Sequence, residues 1–444
     1  MENPRSEDTE PDGARGGRTP ENAVHERAKQ IMSAGEQAMR AGKPRPAAEA
    51  FAKVLALVPD HSEAAFNLAA IQVNTGRTEQ GRALLTDFLS QYPVMNQVPG
   101  PNADAPHVLK VRGFDRTQVT VTKGSEGWRT KLRGGHFTTR FLMMDPDFSI
   151  STFTIAGQNL KDDTLVPPHD LLLNTIAEPD VEGRSLESLS RYLARHPETA
   201  VINRPERVFE TARDRNYQRL QGLKGVRFPR TLRLNTAYRR RDEVPAEIAK
   251  LGFQPPFIIR VAGTQTARST ELIHAPADLE QYLDALHGAE FFLIDYHPIY
   301  WKGTLFRKLR LFHIDGAFYP VVCHLDHYWN VRGDNRKELM RFDEELMGEE
   351  RRFLADWQSY VGAANVDCLE RVADLLRLEF FGIDFTLDAD GQLFIYEVNP
   401  AMRHSFDHAK NFPYKMPHDL ATSKAFQDMV SKHAHAARAR GAGA

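Results

Sequence analysis

Cysteine is almost absent: Cys323 and Cys368 are the only two in 444 residues, too few for a disulfide framework and not spaced as a metal-binding pair. That scarcity suits a reducing compartment, and a cytoplasmic location is expected. No apolar run is long enough to span a bilayer, so no membrane span is predicted. Residues 1–27 open on MENPRSEDTEPDGARGGRTP, which lacks the apolar stretch of a secretory signal and reads as a disordered tail. Charge of one sign is also missing. With 57 basic against 59 acidic residues the net charge is -2, so no global field steers the chain to nucleic acid or anionic lipid, and neither partner is expected. There is no GxSxG elbow and no GxxxxGK[ST] loop, which removes the serine-hydrolase and P-loop readings. What remains is an ordinary globular composition, 41% apolar and 26% charged, in a chain long enough for two or three domains.

Residues 28–95 repeat with a period of 34, as Gly42 and Gly76 and again Pro59 and Pro93 show. The period and these turn residues resemble the tetratricopeptide helix-turn-helix repeat. Gly35, Ala47 and Phe51 fill the small, small and bulky positions of the first unit. The second unit is looser, with Leu68, Ala69, Gly81 and Leu85. Two such units cannot bury their faces alone, so a further helix or a neighbouring domain is expected as a lid. The module is either a packing device or a groove for a peptide or protein partner. Residues 96–106, rich in proline, read as a linker, and residues 107–200 as a small α/β domain with strands VTVT, SISTFTI and DLLLNTI and a helix around LESLSRYLARH. Asn174, after the third of those strands, is a candidate strand-end site. A third domain follows over 201–430, and 431–444 reads as a flexible tail.

The chemistry is densest in FFGIDFTLDADGQLFIYEVNP, residues 380–400. Asp390-Gly391 favours a two-residue type I′ hairpin turn, which makes Ala389 face Gln392 and sets Asp384 opposite Glu397. Strand alternation then puts Ile383, Phe385, Leu387, Phe394, Tyr396 and Val398 on one apolar face, with Asp384, Glu397 and Asn399 on the other. Three oxygen donors converge, and hard divalent cations such as Mg²⁺ take such donors while bridging to substrate phosphates. A three-residue loop would flip one strand's facing. The competing reading is a solvated strand face, against which stands the cost of opposed like charges without a cation.

Ile-Asp-Phe followed by Glu-Val-Asn-Pro resembles the signature of the ATP-grasp superfamily, in the branch of glutathione synthetase and the ribosomal-protein glutamate ligases. The resemblance spans roughly residues 200–430. It implies a fold of two α+β subdomains, so the whole chain is expected to be multidomain α plus α/β. It further implies that Asp384, Glu397 and Asn399 hold Mg²⁺ on the phosphates of ATP. INRPERVFETARDRNYQRL is similar to the family's opening of the nucleotide-binding part, with Asp214-Arg215 where the family has Asp-Lys. PFIIRVAGTQTARSTELI is similar to the strand and small-residue loop bearing a second lysine, and Arg260 stands in its place. Arginine keeps the charge a phosphate needs while placing its donors differently. Gly263 and Thr264, in the loop running to Thr266, are expected to close over phosphates.

EFFLIDYHP resembles the hinge strand that meets adenine, with Ile294 and Asp295 beside the nucleoside. In FRKLRL, Arg307 and Leu309 face one way and Lys308 and Arg310 the other, so Lys308 and Arg310 are the expected active-site cations. Arg403 follows Asn399 closely, suited to a substrate carboxylate or an acyl phosphate. His404 and His408 are four apart, as on a shared helix face, but no third ligand makes a zinc site. The activity implied is ATP-dependent joining of a carboxylate to an amine through an acyl phosphate, with a peptide or protein recruited by the repeats. Two alternatives stay open: an adaptor whose ligase domain is inactive, supported by both Lys-to-Arg exchanges, and a kinase of the same fold.

Overall fold

In the computed structural model the described residues are 20–124, 127–264, 269–286, 290–333 and 336–442. The chain divides into two compact units, one running through Phe88 with Val119–Leu132, the other comprising Leu89–Gln118 and everything from Arg133.

The first unit contains the helices α1 (Pro20–Arg40), α2 (Pro44–Leu57), α3 (Ser62–Asn74) and most of α4 (Thr78–Gln91). Helix α1 thus starts at Pro20, inside the expected tail; residues 1–19 of that tail lie outside the described residues. Gly42 and Gly76 turn each hairpin at φ +69° and +82°, a left-handed backbone that costs glycine least. A Cβ on Gly35 would lie 2.7 Å from the Phe51 ring, so the small residue is what lets α1 approach α2. Phe51, Ala47 and Val54 are fully buried, and burying Phe51 contributes about 3 kcal/mol. In the looser copy Gly81 lies against Ala69 and Leu85 is buried.

The second unit begins with β1 (Val94–Val98) and β2 (His107–Gly113). A hairpin of β3 (Gln118–Gly124) and β4 (Gly127–Arg133) follows, then β5 (Ser149–Ile155), β6 (Leu171–Asn174), α5 (Pro179–Arg195) and β7 (Ala200–Ile202). Two boundaries differ from the sequence expectation. Val94–Val98 is an antiparallel edge strand on β5, so the start of the supposed linker is sheet. The hairpin containing VTVT belongs with the helical unit, where the Thr130 hydroxyl donates to the Phe66 carbonyl at 2.6 Å. The sheet runs β1-β5-β2-β6-β7 and is parallel apart from β1. Asn174 is fully buried and structural: its amide donates to the Asn203 carbonyl at 2.8 Å and its oxygen accepts from Ile176 N–H at 3.0 Å.

Helices α6 (Pro205–Phe209) and α7 (Arg213–Leu220) and strand β8 (Val226–Arg227) lead into an antiparallel sheet of β9 (Thr231–Asn235), β10 (Phe257–Val261), β11 (Thr270–Ile273) and β12 (Glu290–Asp295), in the order β11-β10-β12-β9. Helices α8 (Val244–Lys250) and α9 (Pro276–Ala285) lie within the same stretch of chain. Phe257 and Ile259 of β10 join the core with Leu279 and Tyr282 of α9, which by strand alternation turns Ile258 and Arg260 the other way.

The last sheet runs β13 (Tyr300–Trp301), β14 (Leu305–Ile314), β16 (Phe380–Leu387), β17 (Leu393–Asn399), β8, with β15 (Ala317–Asp326) also pairing β14. Helices α10 (Arg336–Leu339), α11 (Glu344–Ala355), α12 (Trp357–Val361) and α13 (Ala363–Leu376) intervene between β15 and β16. Leu309, Leu311, Ile383, Phe385, Ile395 and Val398 pack into one core with Phe353 and Leu369. Helix α14 (Met416–Ala442) takes in residues 431–442 of the expected flexible tail, because Ala434 is fully buried there and Lys432 pairs with Asp315 at 2.7 Å; residues 443–444 lie outside the described residues.

Candidate active site

The hairpin between β16 and β17 turns through three residues, not two. Asp388 pairs with Gln392, Gly391 N–H donates to the Asp388 carbonyl at 3.0 Å, and Gly391 takes φ +74°. This is a type I turn closed by a left-handed glycine. Leu387 faces Leu393 and Phe385 faces Ile395 in the register such a loop sets. A bulge at Tyr396 then shifts the pairing by one, so that Asp384 faces Glu397 and Gly382 faces Asn399. The carboxylates meet by this second route. The three-residue turn also changes the facing: it sets Phe394 opposite Thr386, so Phe394 and Tyr396, expected among the core residues, line the same cleft as Asp384 and Glu397.

That cleft lies between the antiparallel sheet and the last sheet. Its apolar walls include Ile258, Ile294, Phe394 and Tyr396, and its polar end holds Arg213, Arg260, Lys308, Asp384 and Glu397. Arg310 grips Asp384 through two hydrogen bonds, Nε to Oδ1 at 2.6 Å and Nη2 to Oδ2 at 2.8 Å. Lys308 Nζ lies 3.6 Å from the same carboxylate and donates to the Val331 carbonyl at 2.7 Å. Burial acts to raise the Asp384 carboxyl, yet Arg310 and Lys308 outweigh it and hold it below its ordinary value. Glu397 behaves alike: burial pushes up, while Arg213, its ion-pair partner, and Arg260 bring it down. Burial lowers the Lys308 ammonium against the pull of Asp384. Arg307, on the other face of β14, pairs with Glu349 at 3.2 Å. The repulsion between the opposed carboxylates is therefore offset by guanidinium groups of the chain itself. Their chemistry still fits a hard cation, since each carboxylate offers about four lone-pair sites. Asn399 stands beside them, its amide donating to Glu397 Oε1 at 2.6 Å and its oxygen accepting from Ala401 N–H at 2.8 Å.

Arg215 is not in the cleft. It pairs with Glu210 at 2.9 Å on the far side of α7, and Arg213, two residues earlier and so about 200° around the helix, points in instead. Asp214 is held by Arg233 in two bonds of 3.0 Å. Nothing in the sequence pattern separated these arginines; only the docking of α7 against β9 and β17 does. Arg260 lines the cleft, and burial, with Arg213 beside it, lowers its guanidinium to about 10. Glu178, at the start of α5, is a group the sequence did not reveal: burial, aided by Asp180, raises it to about 7 while Arg213 and Arg260 pull down.

Gly263 and Thr264 do not line the cleft. A Cβ on Gly263 would lie 3.3 Å from Val181, and the Thr264 hydroxyl is bound to the Val261 carbonyl at 2.6 Å. Gln265 and Thr266 of that loop lie outside the described residues. Ile294 is in the cleft wall. Asp295 is also there, but its carboxylate is clamped by Arg230 at 2.9 to 3.3 Å, leaving the backbone as the element beside the cleft.

Lys308 also belongs to a second cavity of about 640 Å³, with Arg310, His324, Lys337, Arg403 and Lys410 among its lining. Arg403 is thus placed on this cavity, paired with Asp407 at 2.6 Å. His404 and His408 share no helix face, because the segment between β17 and α14 is irregular. His404 is buried against Asp419 and Ser423, whereas His408 packs on His324 with ring centroids 5.7 Å apart.

A tetratricopeptide repeat family model matches residues 38–94. Among curated protein sequences none matches the chain. Among solved structures it is similar to the D-alanine–D-alanine ligase of Bacillus anthracis complexed with ATP, at 12% identity over 74% of this chain and 99% of that one, TM-score 0.45. The D-Ala:D-Ser ligase of Enterococcus faecalis is similar at 11% identity over 74% and 100%, TM-score 0.44. The N5-carboxyaminoimidazole synthetase of Staphylococcus aureus complexed with ADP is similar at 11% over 74% and 79%, TM-score 0.40. Likeness at this level carries nothing about substrate or activity, which must come from the cleft itself.

Proposed function

We propose that the chain is an ATP-dependent ligase of the ATP-grasp type, joining a carboxylate to an amine. One observation carries the reading: the opposed pair Asp384 and Glu397, with Asn399 beside it, stands at the polar end of an apolar cleft, and Lys308 of that cleft also lines a second, cation-lined cavity. Ile258, Ile294, Phe394 and Tyr396 suit a flat base, and the backbone leaving β12 suits its edge. Arg260 and Arg213 suit phosphate oxygens. Asp384, Glu397 and Asn399 would hold Mg²⁺; bound there, Mg-ATP supplies the phosphoryl group and screens its charge. Arg310 fixes the rotamer of Asp384. Lys308, between the cavities, offers positive charge where a carboxylate oxygen meets the phosphoryl group. In the reaction the bond from the terminal phosphorus to ADP breaks as an acyl phosphate forms. The amine then attacks the acyl carbon, phosphate leaves and a proton is lost. No side-chain nucleophile is required, and positioning and charge do the work.

Hydroxylamine in place of the amine tests this reading. With ATP, Mg²⁺ and a panel of carboxylic acids, an acid-dependent hydroxamate with release of ADP and phosphate is expected. A phosphorylated hydroxyl product without hydroxamate would favour the kinase, and absence of nucleotide binding would favour the inactive adaptor.

The repeats support a recruiting role, because a ligase for free metabolites needs only its cleft, whereas a tethered peptide sees an effective concentration of about millimolar. The division at Leu89, whose carbonyl accepts from Asn159 at 3.1 Å, makes removal of residues 1–88 the relevant truncation. With folding verified by melting, KM for a peptide acceptor should rise and KM for ATP stay the same. An unchanged acceptor KM would leave the repeats a structural role.

A further inference from the structure

The second cavity has a lining of one electrical character. Lys308, Arg310, Lys337, Arg403, Lys410 and Lys415 contribute positive charge, against Asp407 and Asp419. Lys308 and Arg310 share the single carboxylate of Asp384. Lys415 is spent on structure, buried 3.7 Å from Glu350 and 3.8 Å from Asp419. Lys337 and Lys410 are exposed and have no ion pair among the described residues, so they mark the cavity's open side, as does the exposed Arg403. Lys308 and Arg310 are far less exposed and form its inner end.

His324 adds a neutral donor. Its Nδ1 lies 3.3 Å from Nη1 of the fully buried Arg336, and a guanidinium only donates, so Nδ1 accepts and the ring proton sits on Nε2. Nε2 lies beside Gly333 on the cavity side, 3.5 Å from where a Cβ on that glycine would stand. Burial and the cations around it, Arg336 first, keep the imidazole uncharged. A lining this rich in donors and cations recognises anions, and about 640 Å³ falls within the range of about 300–1,000 Å³ typical of small-molecule sites.

We propose that this cavity binds a carboxylic acid carrying at least one further anionic group, a second carboxylate or a phosphate. The reacting carboxylate lies at the Lys308 and Arg310 end, and the further anion lies toward Lys337, Lys410 and Arg403. The catalytic meaning of the site rests on the ligase reading; binding of the polyanion does not.

Calorimetric titration of the full-length protein distinguishes the two. The probes are glutarate, citrate and 3-phosphoglycerate, set against lactate, with ADP titrated separately. The polyanions should bind at least about tenfold more tightly than lactate and weaken with added salt, as contacts to the exposed Lys337, Lys410 and Arg403 are screened. The double variant Lys337→Gln/Lys410→Gln should lose about tenfold toward polyanions and keep its affinity for lactate and ADP. Glutarate against 3-phosphoglycerate decides whether the further anion is carboxylate or phosphate. Equal binding of lactate, no binding of any polyanion, or full polyanion affinity in the double variant overturns the proposal, and if ADP still binds, the ligase reading survives it. Variant-sensitive polyanion binding without ADP binding upholds the cavity and removes the ligase.

Discussion

Asp384 and Glu397 stand directly opposite each other, and each carries a guanidinium, Arg310 on the first and Arg213 on the second. Facing carboxylates repel, and in a sheet that repulsion is destabilising unless positive charge is near. The two arginines supply it from different directions, Arg310 along the neighbouring strand and Arg213 from the first turn of α7. Under the proposed function a divalent cation would take over part of this compensation and release guanidinium donors to the phosphate oxygens.

Glu397→Gln keeps volume and most hydrogen-bonding capacity while removing one negative charge from this arrangement. Nucleotide turnover should fall about 100-fold or more with little change in melting temperature. Phosphate release measured beside a thermal melt checks both parts, and wild-type turnover would sink the assignment.

Arg260 and Arg215 make a matched contrast. Arg260→Ala should weaken ADP binding about tenfold or more, and Arg260→Lys less, since charge remains and only the planar fork is lost. Arg215→Ala should change affinity by less than about twofold, because that side chain is 43% exposed and paired with Glu210 away from the cleft. Calorimetry with ADP decides. Equal losses for both Arg260 variants would indicate packing, and a large loss at Arg215 would contradict the orientation of α7.

Gly391 isolates a backbone effect. A Cβ there meets no atom within 4 Å, so Gly391→Ala costs only the strain of an L-residue at φ +74°, about 1 kcal/mol, and Gly391→Asn less. Urea unfolding midpoints should rank Gly above Asn above Ala. Equal stability of all three would argue against the three-residue turn.

Burial raises Glu178 from 4.5 to about 7. Between those values the folded chain holds more protons than the unfolded one, so this group makes stability decline as pH climbs through that window. Glu178→Gln should flatten the decline, by no more than roughly 3 kcal/mol across it. Asp419, raised to about 6 mainly by burial, contributes in the same sense, so the difference between wild type and variant is the quantity to follow. Melting curves from pH 5 to 8 provide it, and identical slopes would acquit Glu178.

Several features were legible in the sequence because they are local. The 34-residue spacing of Gly42 and Gly76 reports two turns of the same kind, and both glycines take the left-handed backbone. Alternation along FRKLRL separates Lys308 and Arg310 from Arg307, and β14 keeps them on opposite faces. The pairing of Asp384 with Glu397 was expected from a two-residue turn and arises from a three-residue turn corrected by a bulge at Tyr396. The carboxylates were thus placed rightly for a mistaken reason, and the same slip misplaced Phe394 and Tyr396. Boundaries failed for a related cause: Val94–Val98 and the end of α14 look loose in isolation and are ordered by partners far along the chain, β5 and Asp315.

The sequence by itself determined the helical repeats, the alternating strands and the opposition of Asp384 to Glu397 on which the proposed site rests, since each follows from spacing within a few turns or one hairpin. Only the tertiary structure decided that Arg213 and not Arg215 meets Glu397, that Glu178 stands near Arg260, and that Lys308 joins two cavities. Those relations depend on how α7, α5 and β14 pack against elements distant in sequence, and the energies that settle such packing are sums over buried surface that no local pattern encodes.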